Sequence, residues 1–340
     1  MAIEFIGMIG VRPEGADGAA VHVIGGAIDM AWVREFSQAH ERAGFDKVLV
    51  GYTSTAADGF LVSAYAAAHT ERLGYLLAHR PGFVAPTLAA RKAATLDQLS
   101  AGRLALHIIT GGSDADQARD GDFVDHDTRY RRTDEYLGLM RRVWTEARPF
   151  DHAGEFYRVT AAYSDVKPVQ QPHVPLYFGG ASEAAHRIGV RHCDVYMLWG
   201  EPLAAIRDRI AGVRAAAAGV GRAPGLPRFS VSLRPIIAPT EAQAWAKARA
   251  ILEQVQAKQG ARGVPQPEAV GGQGNTTALV GTPEQVAEAL LDYHDLGVTT
   301  LLIRGFDPLN DAIEYGRELI PLVRTEVARR ERDRAAALAR

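Results

Sequence analysis

Three stretches of this sequence carry residue types and spacings that could do chemistry. In Pro175-Leu-Tyr-Phe-Gly-Gly-Ala-Ser182 an apolar run gives way to two glycines and a serine just ahead of a helical pattern. Gly179 and Gly180 clear side chains from a tight strand-to-helix turn. Gly180, Ala181 and Ser182 would then offer free backbone N–H groups, with Ser182 as N-cap, where the helix dipole favours a phosphate. The same residues would also serve as an ordinary capped turn. In Asp125-His126-Asp-Thr-Arg-Tyr130, His126 and Tyr130 lie four apart and share a helical face if the helix begins near Asp125. Both can donate hydrogen bonds to phosphate oxygens. The alternative is a helix start with surface polar groups. No histidine or carboxylate partner stands at metal-ligand spacing, so no metal is expected. In Leu104-Ala-Leu-His107-Ile-Ile-Thr110-Gly-Gly112 a histidine interrupts an apolar strand and Thr110 follows its end. His107 could bond a ring carbonyl or nitrogen of a ligand, or be a satisfied core histidine.

Positive charge also follows apolar runs, at Arg80, Arg234 and Arg304, and Trp199 closes another run. An arginine offers fixed donors to an anionic oxygen group. Arg234 and Arg304 together could clamp an anionic substrate, although Arg304 could instead pair with Asp307. Arg80, which precedes Pro81, reads as structural.

Positioning these residues requires a frame. Eight β-type runs are visible: Ile3–Met8, Lys47–Val50, Leu73–Leu77, Arg103–Ile109, Pro175–Phe178, Cys193–Leu198, Phe229–Ile237 and Thr300–Ile303. Helical patterns alternate with them, for example Met30–Ala43, ending at a C′ glycine, Gly44. Such alternation implies parallel pairing, and eight units imply a closed (β/α)₈ TIM barrel. An open doubly wound sheet is the alternative, but Gly7, Gly10, Gly15 and Gly18 do not fit its G-x-G-x-x-G turn. One barrel domain over 1–340 is expected, with insertions at about 111–127, 149–172 and 259–279. The second should hold a hairpin turning at Ala153-Gly154.

Composition narrows the function classes. The net charge is −2 with no long run of one sign, so no nucleic-acid partner is implied. Cys193 is the one cysteine, which excludes an internal disulfide and suits a reducing cytoplasm. The start MAIEFIGMIG lacks a basic segment and a signal-length apolar core, and no stretch is long and apolar enough to suggest a membrane partner. A soluble cytoplasmic protein is expected, its Arg-rich end from Arg324 to Arg340 forming a solvated helix.

Several motifs, in one fixed order, resemble the luciferase-like flavin monooxygenases. They are the run from Arg80 to Arg103, His-Ile-Ile-Thr-Gly-Gly (107–112), Asp-His-Asp-Thr-Arg-Tyr (125–130), Leu-Tyr-Phe-Gly-Gly-Ala-Ser (176–182), Trp-Gly-Glu-Pro (199–202) and Thr-Ala-Leu-Val-Gly (277–281). The branch they most resemble is that of the alkanesulfonate monooxygenases. The resemblance implies reduced FMN (FMNH₂), supplied by a separate NAD(P)H-dependent flavin reductase. O₂ and a small substrate would be consumed, with a sulfonate leaving as sulfite and an aldehyde remaining. It further implies that Ser182, His126 and Tyr130 hold the FMN phosphate, that His107 stands where an asparagine is common beside the flavin ring, and that Trp199 matches a pocket tryptophan. Relatives are commonly dimers or tetramers, so a homo-oligomer is expected.

The substrate half departs from that branch. Its pocket cysteine is Ala56 here, its Arg-x-His reads Ser232-Leu-Arg234, and its pocket tyrosine is Phe306. Its lid arginine has no match: Gly272 falls near it and Arg262 lies at a distance. Its histidine near the first strand has no match in Gly10-Val-Arg-Pro13. A sulfone, a sulfonated sugar or another heteroatom compound therefore stays open as substrate. A deazaflavin (F420) oxidoreductase and a non-catalytic flavin-binding protein also stay open.

Overall fold

The structure, a computed structural model, describes residues 3–13, 26–111, 113–223, 225–261 and 277–338, without the side chains of 255–261 and 338. Gly15, Gly18, Gly112, Arg262, Gly272 and most of the 259–279 insertion lie outside the described residues. The strands are β1 (Glu4–Ile9), β2 (Lys47–Val50), β3 (Gly74–His79), β4 (Leu104–Ile108), β5 (Phe150–Ala153), β6 (Arg158–Ala162), β7 (Leu176–Gly179), β8 (Val195–Trp199), β9 (Arg228–Ile237), β10 (Ala278–Gly281) and β11 (Val298–Ile303). The helices are α1 (Met30–Arg42), α2 (Gly59–Ala67), α3 (Pro86–Leu99), α4 (Asp114–Arg119), α5 (His126–Thr145), α6 (Glu183–His192), α7 (Leu203–Gly219), α8 (Glu241–Ala261), α9 (Pro283–Asp295), α10 (Pro308–Glu314) and α11 (Ile320–Leu338).

The sequence β1-β2-β3-β4-β7-β8-β9-β11 pairs in parallel throughout and closes on itself. This is the expected TIM barrel, and each of the eight apolar runs supplies one of its strands. Alternation along each strand sorts the side chains. Ile6, Leu49, Leu76, Ala105, Tyr177, Val195, Met197 and Leu302 form one apolar cluster inside the barrel. The other face of the strands packs on the helices in a larger core.

The floor of the barrel is polar, and its one carboxylate among the described residues, Glu4, is well partnered. Glu4 forms an ion pair with Lys47 and accepts from the Tyr177 hydroxyl at 2.9 Å and from Thr300 at 3.2 Å. Burial works against the Glu4 carboxylate, yet Lys47 and these donors outweigh it and hold its pKa below the ordinary value.

Side-chain caps start the helices that feed the site. Asp125 accepts from the Thr128 amide, Ser182 from Ala185, and Thr282 forms a capping box with Gln285. Three features depart from the sequence expectation. A π-helical turn at Tyr315–Leu319 interrupts the C-terminal helical stretch between α10 and α11. The 111–127 insertion contains α4. A short ninth parallel strand, β10, pairs with the distal half of β9 beyond the barrel rim. Thr277 bridges to it, donating its amide to Gly200 at 3.2 Å and accepting from the Arg234 amide at 3.1 Å, so β10 enters beside β9 where β8 has ended.

The 149–172 insertion forms the expected hairpin, with the Gly154 amide bonded to the Tyr157 carbonyl at 3.0 Å. It is a packing arm: Glu135 of α5 accepts from the Phe156 and Tyr157 amides, both at 2.9 Å. No helix among the described residues is long and apolar enough to cross a membrane.

Candidate active site

The first corner of the site lies where β7 turns into α6. A Cβ on Gly180 would sit 2.5 Å from the Ala185 Cβ, so that position needs a bare backbone, and one on Gly179 would sit 3.1 Å from the Met197 carbonyl, a tight contact. The Tyr196 hydroxyl donates to the Gly180 carbonyl at 2.7 Å and locks the turn. Ser182 accepts from the Ala185 amide at 3.1 Å, which leaves its own hydroxyl proton to donate outward. Tyr130, on α5, brings its hydroxyl to within 3.6 Å of where a Gly180 side chain would begin. His126 packs against it in a tilted arrangement, 4.9 Å between ring centroids, half exposed, with Nδ1 on the Asp127 carboxylate at 2.9 Å. The structure thus brings His126, Tyr130, Gly180, Ala181 and Ser182 together. Glu183, in the first turn of α6, is exposed and paired with Arg187 at 2.9 Å, which blunts its opposition to an anion.

The second part is the barrel lumen. His107 follows Ala105 by two residues and so shares its inward face, pairing laterally with Ala78 and Tyr177. Burial pushes its pKa down to about 4, so the ring is neutral at physiological pH, with one donor and one acceptor nitrogen. Thr110 stands just beyond, its carbonyl accepting from Gln117 at 2.8 Å.

Across the lumen, Arg234 continues the inward face of β9 and Arg304 that of β11. Arg234 is 1% exposed, and among the described residues its Nε and Nη1 find no hydrogen-bond partner. The Phe306 ring lies 5.0 Å from its guanidinium carbon. Burial, opposed only by Tyr315, lowers its pKa to about 10. Arg304 donates to the Met8 sulfur at 3.2 Å, and burial together with the Arg234 charge lowers its pKa to about 9. Two like-charged guanidinium groups in a low-dielectric lumen would be relieved by an anion placed between them. Trp199 ends β8 at the rim and is 47% exposed.

Arg80 differs in kind. It forms an ion pair with Asp116 of α4, donates to Gln117 at 3.1 Å and lies over the Tyr52 ring at 4.6 Å. It anchors the 111–127 insertion, a structural part as its place before Pro81 suggested, with a partner the sequence did not indicate. Arg129 and Arg132 pin the same segment through Asp114 at 2.8 Å and Asp122 at 2.5 Å. Among the described residues no cluster of histidine, cysteine or carboxylate groups could hold a metal.

A family profile described as luciferase-like monooxygenase matches residues 3–300. The chain belongs to the luciferase-like monooxygenases. Solved structures agree in fold. A riboflavin lyase holding modified FMN and riboflavin superposes with a TM-score of 0.81 at 21% identity, covering 96% of this chain and 92% of that one. The EDTA monooxygenase of Chelativorans sp. BNC1 superposes with a TM-score of 0.77 at 18% identity, over 96% of this chain and 94% of that one. An F420-dependent secondary alcohol dehydrogenase, holding an F420–acetone adduct, gives 0.74 at 17%, over 95% and 99%.

For this luciferase-like monooxygenase, sequence reasoning missed Met8, Tyr196 and the aromatic seat of Arg234. Met8 was legible in principle, because it stands two residues beyond the inward-facing Ile6. Tyr196 was not, because its contact with Gly180 spans the β7–α6–β8 unit. Phe306 was visible only as a missing tyrosine, whereas its ring face meets a cation.

Proposed function

We propose that this luciferase-like monooxygenase is the oxygenase half of a two-component system. It takes FMNH₂ from a separate NAD(P)H-dependent flavin reductase and uses O₂ to oxidise a small anionic organosulfur compound. The leading reaction is desulfonation of an alkanesulfonate. One oxygen atom of O₂ ends in the aldehyde and the other in water, the flavin is oxidised, and sulfite and a proton leave. When bound, the reduced flavin supplies the electrons and activates O₂.

The residues present fit that cofactor. The Gly179–Gly180 cradle that any Cβ would fill, the outward Ser182 hydroxyl and the Tyr130 hydroxyl suit its phosphate. His107, neutral and inward-facing, offers one donor and one acceptor to a ring edge, with Thr110 beside it. The single observation that carries the substrate class is Arg234, a guanidinium buried without a carboxylate among the described residues. Arg234 and Arg304 would hold the substrate anion and orient the adjacent carbon, while the apolar lumen excludes water. Trp199 would close the rim. The same reading makes the protein a single barrel domain over 1–340, cytoplasmic, and a dimer or tetramer.

The test supplies a flavin reductase, NADH and FMN, and follows sulfite release from a panel of alkanesulfonates, sulfones and sulfonated sugars. Sulfite from at least one sulfonate, with matching O₂ uptake, is expected. No association with FMN in any redox state would overturn the reading. A second reading is favoured by the structural likeness to the F420-bound dehydrogenase: hydride transfer with F420. It predicts turnover without O₂ uptake, so an oxygen electrode separates the two.

A further inference from the structure

Arg234 owes the hydrogen-bonding capacity left on its Nε and Nη1 among the described residues to how it is held. A carboxylate partner would consume its N–H donors. An aromatic face attracts the cation through the ring quadrupole and leaves the donors at the edge free. The Phe306 ring, 5.0 Å from the Arg234 guanidinium carbon, has this arrangement. Phe306 belongs to a turn that leaves β11 through Arg304 and Gly305, and the Asp311 carboxylate bonds into that turn beside the Asp307 cap on Asn310. Asp311, 6% exposed, accepts on one carboxylate oxygen from the Phe306 amide at 2.7 Å and the Asp307 amide at 2.8 Å. Its other oxygen accepts from Lys247 at 3.3 Å. A Cβ at Gly305 would lie 1.8 Å from the Asp311 oxygen, so the carboxylate fills the space that a side chain at 305 would need. Charge-assisted bonds to two consecutive amides fix the direction in which Phe306 leaves the backbone.

We propose that Asp311 is a positioning residue for the anion site: it holds the Phe306 ring against Arg234 and thereby sets how tightly that guanidinium takes a sulfonate. This rests on the anion-site reading above. The test titrates ethanesulfonate calorimetrically into the FMN-loaded full chain. Asp311→Ala should weaken ethanesulfonate binding about tenfold, with FMN affinity within about twofold of the parent. Phe306→Leu should weaken it to a similar extent. The double variant should be no worse than Phe306→Leu alone, because Asp311 acts through the ring. Full additivity of the two losses, or an unchanged affinity in Asp311→Ala, overturns the proposal. Should Asp311→Ala not fold, the cycle is run with Asp311→Asn, whose neutral oxygen gives the amides weaker bonds. A loss of about threefold, absent in the Phe306→Leu background, is then expected. Arg234→Ala separates the two levels. If it leaves ethanesulfonate binding intact, the anion-site reading fails. If it abolishes binding while the Asp311 variants bind normally, only the positioning role fails.

Discussion

On the β3 wall of the barrel mouth, buried arginines are matched with acids. Arg80 meets Asp116, and the α5 arginines Arg129 and Arg132 meet Asp114 and Asp122. On the β9 wall, four strands away around an eight-stranded ring, Arg234 is more deeply buried and meets an aromatic face instead. The first group ties a 17-residue insertion to the barrel, and its charges are satisfied within the fold. The second keeps a charge that no carboxylate among the described residues meets, where burial alone would penalise it. An arginine that folding does not need to neutralise is one that a ligand can neutralise. The two walls therefore predict opposite responses to the same substitution.

The largest effect is expected at Arg234. Arg234→Ala should lower kcat/KM for a sulfonate by at least about 100-fold while leaving the protein as stable as the parent or slightly more so, since a buried unpaired charge is removed. Sulfite release and a urea melt check both halves, and a large loss of stability would break the comparison. Arg80→Ala should do the reverse. It leaves Asp116 with Ser54 at 2.5 Å and the exposed Arg119 at 3.8 Å, and should cost roughly 2–3 kcal/mol of stability. Any loss of turnover should then recover at low temperature. Next comes Gly180→Ala. The added methyl meets Ala185, displaces the start of α6, and should weaken FMN binding about tenfold, measured by flavin fluorescence, with sulfonate affinity unchanged in protein saturated with FMN.

Histidines sharpen the contrast between closed and open sites. Burial lowers the pKa of His40, His79 and His107 to about 4, with the Phe36 carbonyl opposing it at His40 and Lys92 adding to it at His79. His79 is closed by the Tyr136 hydroxyl at 2.8 Å on the helix-facing side, while His107 faces the lumen. Between about pH 4 and the unfolded value of 6.5 the unfolded chain binds more protons than the folded one. Stability is therefore complete above pH 6.5 and is lost as pH falls through that window, by up to about 3 kcal/mol for each histidine. Thermal midpoints at pH 7, 6 and 5 should fall in that order, and His107→Gln should flatten the slope by about a third. A midpoint independent of pH would contradict the burial of these rings.

The barrel was legible in the sequence because each of its eight strands is a compact apolar run that burial on both faces requires. β10 was not: Ala278–Gly281 is four residues long, mostly half-buried and pairs beyond the rim. The break at Tyr315–Leu319 was hidden because a π-turn keeps the same residue types as the helix around it. In the site, the turn at Gly179–Ser182 and the His126–Tyr130 pair were readable from local spacing. The roles of the arginines were only half readable. Position after a strand suggested Arg234 and Arg304, but the partner that makes Arg80 structural lies 36 residues on, and the ring that makes Arg234 different lies 72 residues on.

The knot of Glu4, Lys47, Tyr177 and Thr300 stops the cylinder at one end. Along its axis, then, the described barrel has a single doorway. On the function proposed above, cofactor, substrate and products would share it, so whatever occupies the mouth would delay the passage of the rest.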